Sequence, residues 1–308
     1  IACFIIYLPF IFEGKSFFYN YDGVSQHYNS LVYFGKYIRS IIKNLLLNHQ
    51  LIIPMWDLSV GFGQDILTSL NYYSIGDVLD ILFVLTPIKF SSYMYVFLIL
   101  FRMFLSGICF SLYCFKMKQS KYSTLVGTLC YVFCGYVIFS SIRHPFFINP
   151  MLYLPLILIG IENILKGKKP YLFMVMIGIS AISNFYFLYM LTIAVVFYAI
   201  VRVLYLYKDK GLFIKMFFKY LFVLGGYYLL SILLVSVLFI PVIYGFLYCS
   251  RISKDTGVNL LLYHCNYYLS FISQLFQVKE VGNYQSFNIT IVTFLSCIML
   301  VNLQDKIS

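Results

Sequence analysis

YLFVLGGYYLLSILLVSVLFIPVIYGFLY, residues 220–248, runs for 29 residues without an Asp, Glu, Lys or Arg. About 20 predominantly apolar residues suffice for a helix to cross the hydrocarbon core of a bilayer. A transmembrane β-strand would alternate apolar and polar residues with a period of two. This run does not alternate, so it reads as helix in membrane.

The composition of the whole chain agrees. Of 308 residues, 62% are hydrophobic and 11% charged, with a mean hydropathy of +0.88. Soluble domains carry about 25% charged and ~45–50% apolar residues. These values exclude a water-soluble globule, a disordered chain, a coiled coil and a small disulfide-stapled domain. The expected fold is all-α: a polytopic transmembrane helical bundle of about eight spans. They lie near 1–12 (a partial span), 92–115, 122–140, 147–165, 171–183, 186–206, 218–247 and 287–303. Residues 1–308 form one transmembrane domain, read as the N-terminal part of a longer protein.

Charge placement orients the bundle. The net charge is +11, but no basic stripe with interleaved aromatics stands apart from the spans, so nucleic acid is not an expected partner. The clusters at 116–121 and 166–169, the stretch 202–219 and Lys306 hold 12 of the 22 Lys and Arg residues, whereas the long segments 13–91 and 248–286 hold eight. By the positive-inside rule the short basic clusters are cytoplasmic. The long segments are then extracytoplasmic loops, and the N-terminus is cytoplasmic. The run from Tyr171 to Tyr207 is flanked by lysines at both ends and so must cross twice. Its polar break is SNFYF at 183–187, where Asn184 can cap the second helix.

Segment 13–90 carries six of the 11 acidic residues, which makes it the expected seat of any chemistry. VYFGKYIRSIIKNLLLNH (32–49) has helical apolar spacing with Lys36, Arg39 and Lys43 on one side, the pattern of an interfacial amphipathic helix. IGDVLDILFVLTP (75–87) reads as a second short interfacial or re-entrant helix. Asp22, in FFYNYDGVSQHY, stands one helical turn before Gln26. Such a carboxylate can act as a general base, ligate a divalent cation, or simply cap a helix. His27 beside it can move a proton or hold a phosphate, or be an ordinary surface residue. Trp56 and Asp57 precede Gly61 and Gly63, which permit a tight backbone; the Trp can stack on a sugar or anchor in the membrane interface. Arg102 lies mid-span, where a guanidinium demands a partner, either an acidic group or a lipid phosphate. Arg143 and His144, with Lys89, can hold an anionic headgroup or anchor helix ends in the interface. Arg251 and Lys254 invite the same reading. The eight cysteines show no zinc spacing; Cys249 and Cys265 share a loop, and Asn288-Ile-Thr is a formal glycosylation sequon. No nucleotide-binding or hydrolase fingerprint occurs.

DGVSQ after the first span, PMWDLSVGFG, NYYSIGDVLDILFVLTP and SNFYFLYM follow one another in an order that resembles the YfhO family of bacterial membrane proteins. That family looks like GT-C-type glycosyltransferases, which place a catalytic Asp in the first outside loop and use polyprenyl-phosphate sugars. The resemblance implies Asp22 as the catalytic carboxylate, with Gln26 beside it. It also implies sugar decoration of lipoteichoic acid or another cell-wall polymer outside Gram-positive cells. The expected activity is therefore a membrane glycosyltransferase; the alternative is a non-catalytic flippase or transporter of lipid-linked sugars. Gln26, His27, Trp56, Asp57, Arg102, Arg143 and His144 are the expected substrate-binding residues. The expected partners are a polyprenyl-phosphate-linked sugar, a wall-polymer acceptor and membrane lipid. The next acid after Asp22 is Asp57, so a divalent cation stays open.

Overall fold

A computed structural model of the chain describes residues 2–207 and 211–248. The expected span at 287–303, loop 248–286, Arg251, Lys254, the Cys249 and Cys265 pair, the sequon at Asn288 and Lys306 fall outside the described residues.

The described chain is mainly helical, with one small antiparallel ribbon of two two-residue strands. Its α-helices are α1 (Ala2–Phe12), α2 (Asn29–Asn48), α3 (Ile66–Asn71), α4 (Leu82–Leu85), α5 (Ser91–Lys116), α6 (Lys121–Val132), α7 (Gly135–Arg143), α8 (Asn149–Leu165), α9 (Tyr171–Ser183), α10 (Phe185–Tyr207), α11 (Phe213–Leu234) and α12 (Ser236–Leu247). A π-helical turn, Gly23–Tyr28, leads into α2. Strands β1 (Trp56–Asp57) and β2 (Gln64–Asp65) pair antiparallel.

Helices α5, α8, α10 and α11 are each long and apolar enough to cross a membrane, and α6 with α7 makes a fifth candidate, bent by 43°. The all-α bundle is as expected, but the span count and continuity differ. The 122–140 stretch bends at Phe133 and Cys134. The 218–247 stretch divides at Val235 into α11 and α12. Helix α9 has 13 residues, a rise of about 20 Å, short of the ~30 Å hydrocarbon core. Periodicity finds apolar helix but does not see where a bundle breaks it.

The core is built around α8, which packs on α5 and α9. Leu98, Ile99, Met103, Ile157, Ile161, Phe173 and Ile177 are fully buried there. Gly160 lets α8 approach α9 closely: a Cβ at that position would lie 2.8 Å from the Phe173 backbone. Small residues at helix crossings serve this purpose in membranes, where close packing replaces the hydrophobic effect as the driving force.

Segment 13–90 is clamped onto one end of this bundle. Asn71 Nδ2 donates to the carbonyls of Ile75 and Ile182, both at 2.9 Å. Gly76 sits at φ +101°, with a hypothetical Cβ only 2.0 Å from the Ile182 carbonyl oxygen. Glycine alone satisfies both demands. The turn 71–77 is thereby seated on the α9–α10 break, where Asn184 Oδ1 accepts from the Tyr186 amide at 3.0 Å, the cap expected there. The opposite end of the bundle carries Lys116, bound to Asn163 Oδ1, and Glu162, bound to Arg202 and Lys166.

Two expectations for segment 13–90 need correction. Residues 75–87 do not form one interfacial or re-entrant helix. They form a 3₁₀ turn, Val78–Ile81, followed by the single turn α4, because Asp77 and Asp80 face inward. On α2, Lys36 and Lys43 are exposed, but Arg39 does not join them on a polar face. Its Nη1 donates to the carbonyls of Phe83, Val84 and Thr86 at 2.8–3.0 Å. It neutralises the carbonyl end of α4.

Candidate functional site

Asp22 precedes the π-turn but does not cap it: its backbone is already helical, and its side chain accepts no hydrogen bond from the first turn. The wide turn brings Gln26 back to it instead. Gln26 Nε2 donates to Asp22 Oδ1 at 2.8 Å, and the Tyr73 hydroxyl donates to Gln26 Oε1 at 2.7 Å. The second oxygen, Oδ2, lies 3.9 Å from His144 Nε2. The other nitrogen of His144, Nδ1, is 2.7 Å from His27 Nε2. Five side chains, Tyr73, Gln26, Asp22, His144 and His27, thus form one polar chain at the bundle end that carries segment 13–90.

With the Nε2 proton of His144 turned to the carboxylate, its Nδ1 is the acceptor and His27 Nε2 the donor. His27 Nδ1, buried and without a hydrogen-bond partner among the described residues, is then a bare lone pair, the less costly atom to leave unmatched. Burial, with His144 adding repulsion, lowers the His27 pKa from 6.5 to about 3. Burial also lowers that of His144; the Asp22 carboxylate opposes this and Arg143 reinforces it. Both imidazoles are therefore neutral at neutral pH, and Asp22 faces no full positive charge from them.

Arg143 stands beside this chain. Its Nη2 donates to the Tyr19 hydroxyl at 2.8 Å, and its guanidinium lies over the Tyr19 and Phe139 rings. His144 also lines a cavity of about 790 Å³ between α3, α7, α10 and α12.

The other expected site residues lie elsewhere. Arg102 is buried and bound through two of its three nitrogens. Its Nη2 donates to Asp77 Oδ2 at 2.8 Å and Asp80 Oδ1 at 2.5 Å, and its Nε to Asn149 Oδ1 at 3.1 Å. Burial and the adjacent Asp77 push Asp80 well above the usual carboxylate range, against the pull of Arg102. One guanidinium and two carboxyls are then neutral together when Asp80 holds its proton. Arg102 is a clamp between α5 and residues 77–80. Asp57 accepts from the Tyr33 hydroxyl at 2.5 Å and from the Ser59 amide and hydroxyl. These bonds hold its carboxyl below the usual range and fix the ribbon tip, where Trp56 is exposed. Neither Trp56 nor Asp57 shares a described hydrogen bond with Asp22. Lys89 is likewise exposed and separate from Arg143 and His144, over the Phe90 ring.

The donor set at Asp22 does not suit a divalent cation. One oxygen is taken by Gln26, the nearest imidazole nitrogen stands 3.9 Å from the other, and among the described residues no three His, Cys, Asp or Glu side chains converge in a metal geometry. Hard cations require several oxygen ligands.

Sequence reading missed Tyr73, Tyr19 and Asn184 as site residues, and Asp77 and Asp80 as the partners of Arg102. Tyr73, Asp77 and Asp80 lie within the NYYSIGDVLDILFVLTP stretch, whose ordered position was visible although its contacts were not.

An apolar multi-helix bundle with a polar carboxylate–imidazole chain at one end defines a polytopic membrane protein with its candidate chemistry outside the core. The family described as "Bacterial membrane protein YfhO" matches residues 1–306, and the chain belongs to that family. It is 33% identical over 104 residues to the uncharacterized protein YfhO of Bacillus subtilis (strain 168), an alignment covering 33% of this chain and 12% of that protein. The chain thus matches about an eighth of that relative's length. No solved structure matches.

Proposed function

We propose that the chain is part of a membrane glycosyltransferase that moves a sugar from a polyprenyl-phosphate donor to an extracytoplasmic wall polymer such as lipoteichoic acid. Asp22 is its general base. The observation that carries this reading is the Asp22 carboxylate itself: it is not used as a helix cap, is partly exposed, is oriented by Gln26, and has His144 3.9 Å from its other oxygen. In an inverting transfer, Asp22 Oδ2 takes the proton of the acceptor hydroxyl as its oxygen attacks the anomeric carbon. The bond from that carbon to the donor phosphate breaks, and the polyprenyl phosphate leaves with the electron pair. Neutral His144 and His27 keep Asp22 from being tied up in a strong ion pair, so it stays available as a base. Arg143, next in sequence to His144, is the cation this reading assigns to the leaving phosphate.

Asp22→Asn tests it. The substitution preserves the bond to Gln26 in shape and removes the charge. General-base catalysis is worth ~10²–10⁴-fold in rate, so sugar incorporation into wall polymer should fall by that order at normal protein level in the membrane. A well-expressed variant with undiminished polymer glycosylation would falsify Asp22 as the base. The alternative reading, lipid-linked sugar translocation, predicts that donor still reaches the outer leaflet and polymer decoration persists.

A further inference from the structure

Beyond Arg39, which ties α2 to residues 83–86, the chain forms a protruding arm. Every position from Ile42 to Trp56 except Asn44 is exposed, and residues 50–55 lie in no helix or strand. The exposed side chains are mostly large and apolar, Leu46, Leu47, Leu51 and Trp56 among them, with Leu58 and Phe62 added by the ribbon tip. This arm lies outside the candidate spans. A contiguous apolar surface of this kind marks a contact with protein or with membrane.

Three observations choose membrane. Leu45, Leu46 and Leu47 are 45%, 68% and 67% exposed. Successive helical positions point in different directions, so leucine faces outward on several sides of the end of α2. A protein groove takes one stripe of a helix, at i, i+3, i+4 and i+7; only a fluid apolar medium receives all sides at once. Second, Phe62 is fully exposed at φ +66°, between Gly61 at +52° and Gly63 at +105°. A left-handed backbone favours glycine or asparagine, so the turn itself has no use for a phenylalanine there. Third, the single acid of residues 42–62, Asp57, is held by Tyr33 and Ser59, while Lys36 and Lys43 are exposed on α2. That balance of charge suits a surface of anionic headgroups.

We propose that the arm 42–62 is a membrane anchor lying in the headgroup–acyl boundary of the bilayer surface that faces segment 13–90. The contact differs from the amphipathic stripe suggested by the spacing of α2: it is made by the end of the helix, the irregular return and the ribbon tip. Residues 50–55 have no ladder of their own, so their backbone needs water or headgroups and keeps the arm out of the hydrocarbon. Trp56 suits that depth, and Asp57 with Ser59 stays on the water side. Helix α2, 20 residues and about 30 Å long, joins the anchor to the π-turn that carries Gln26 and His27. The anchor thereby fixes the tilt of α2 over the bilayer. It does not depend on the chemistry assigned to Asp22.

Depth-dependent quenching tests this in the full-length protein, otherwise free of cysteine, in nanodiscs of phosphatidylglycerol and phosphatidylethanolamine. Leu46→Cys, Phe62→Cys and, as a water-facing reference, Ser25→Cys each carry one environment-sensitive fluorophore. All three positions are exposed, so the labels displace no packed side chain. Nitroxide-bearing lipids report contact with the bilayer, and iodide reports contact with water. The labels at Leu46 and Phe62 should lie about 5–10 Å into the headgroup–acyl boundary, with iodide quenching roughly threefold weaker than at Ser25. Iodide quenching at both positions as strong as at Ser25 would mean that the arm stands free in water, and would overturn the proposal. Shielding from iodide and from lipid nitroxides together would mean that protein covers the arm, either a further part of this chain or a partner, and would overturn it equally.

Discussion

At the residue scale, the His27–His144 pair makes the candidate site sensitive to acid. The folded-state pKa of His27 is depressed from 6.5 to about 3, so between those values the unfolded chain binds more protons than the folded one. Stability is therefore fully present above about pH 6.5 and is lost as the pH falls toward 3. His144, depressed by burial as well, adds to the same slope. His27→Gln retains a donor toward His144 and removes the titration. Its melting temperature should vary less between about pH 7 and about pH 4.5, which covers the upper part of this window, than that of the unmodified protein. Parallel curves for the two proteins would mean that His27 is not held neutral by the fold. Asp22, Gln26, His27 and His144 were all legible as candidates from residue type and position. That Asp22 is no cap could be read only from its backbone angles.

At the element scale, Arg102 shows what a mid-span charge is for in this chain. A guanidinium among apolar residues needs partners, and residues 77–80 bring Asp77 and Asp80 to it from outside the spans. Arg102→Leu would leave two carboxyls buried without a counter-charge, a change worth about 3–5 kcal/mol of destabilisation. It should appear as a lower unfolding temperature and loosened protease resistance of segment 13–90. Arg102→Lys keeps the charge but loses the planar fork that reaches two carboxylates and Asn149, and should fall between. If the Leu variant melts with the unmodified protein, the clamp contributes nothing to stability. The sequence demanded a partner for Arg102 and could not say which, since Asp77 and Asp80 also fitted a solvent-facing turn.

At the scale of the whole molecule, the bundle has two chemically different ends. One carries Asp22, His144, Asn184 and the docked segment 13–90; the other carries Lys116, Lys166, Glu162 and Arg202. With the basic end in the cytoplasm, single cysteines in a cysteine-free background should separate them. Ser59→Cys should react with an impermeant thiol reagent in intact cells, while Ser120→Cys and Gly167→Cys should react only after permeabilisation. The reverse pattern would place Asp22 in the cytoplasm and remove the reason for a lipid-linked donor.

The sequence by itself determined the solvent. Long uncharged runs allow only a bundle of apolar helices in a bilayer, because each backbone polar group there must be satisfied within its own helix. It also determined the helix cap at Asn184, a local matter of one side chain and the next two amides. The tertiary structure alone decided where the spans break, at Phe133 and Val235, and which charges meet across 22 and 25 residues at Arg102. It alone joined His27 to His144 across 117 residues. Hydrophobic periodicity records which residues leave water. It holds no record of which buried polar groups find one another, because that choice is made only when distant helices pack.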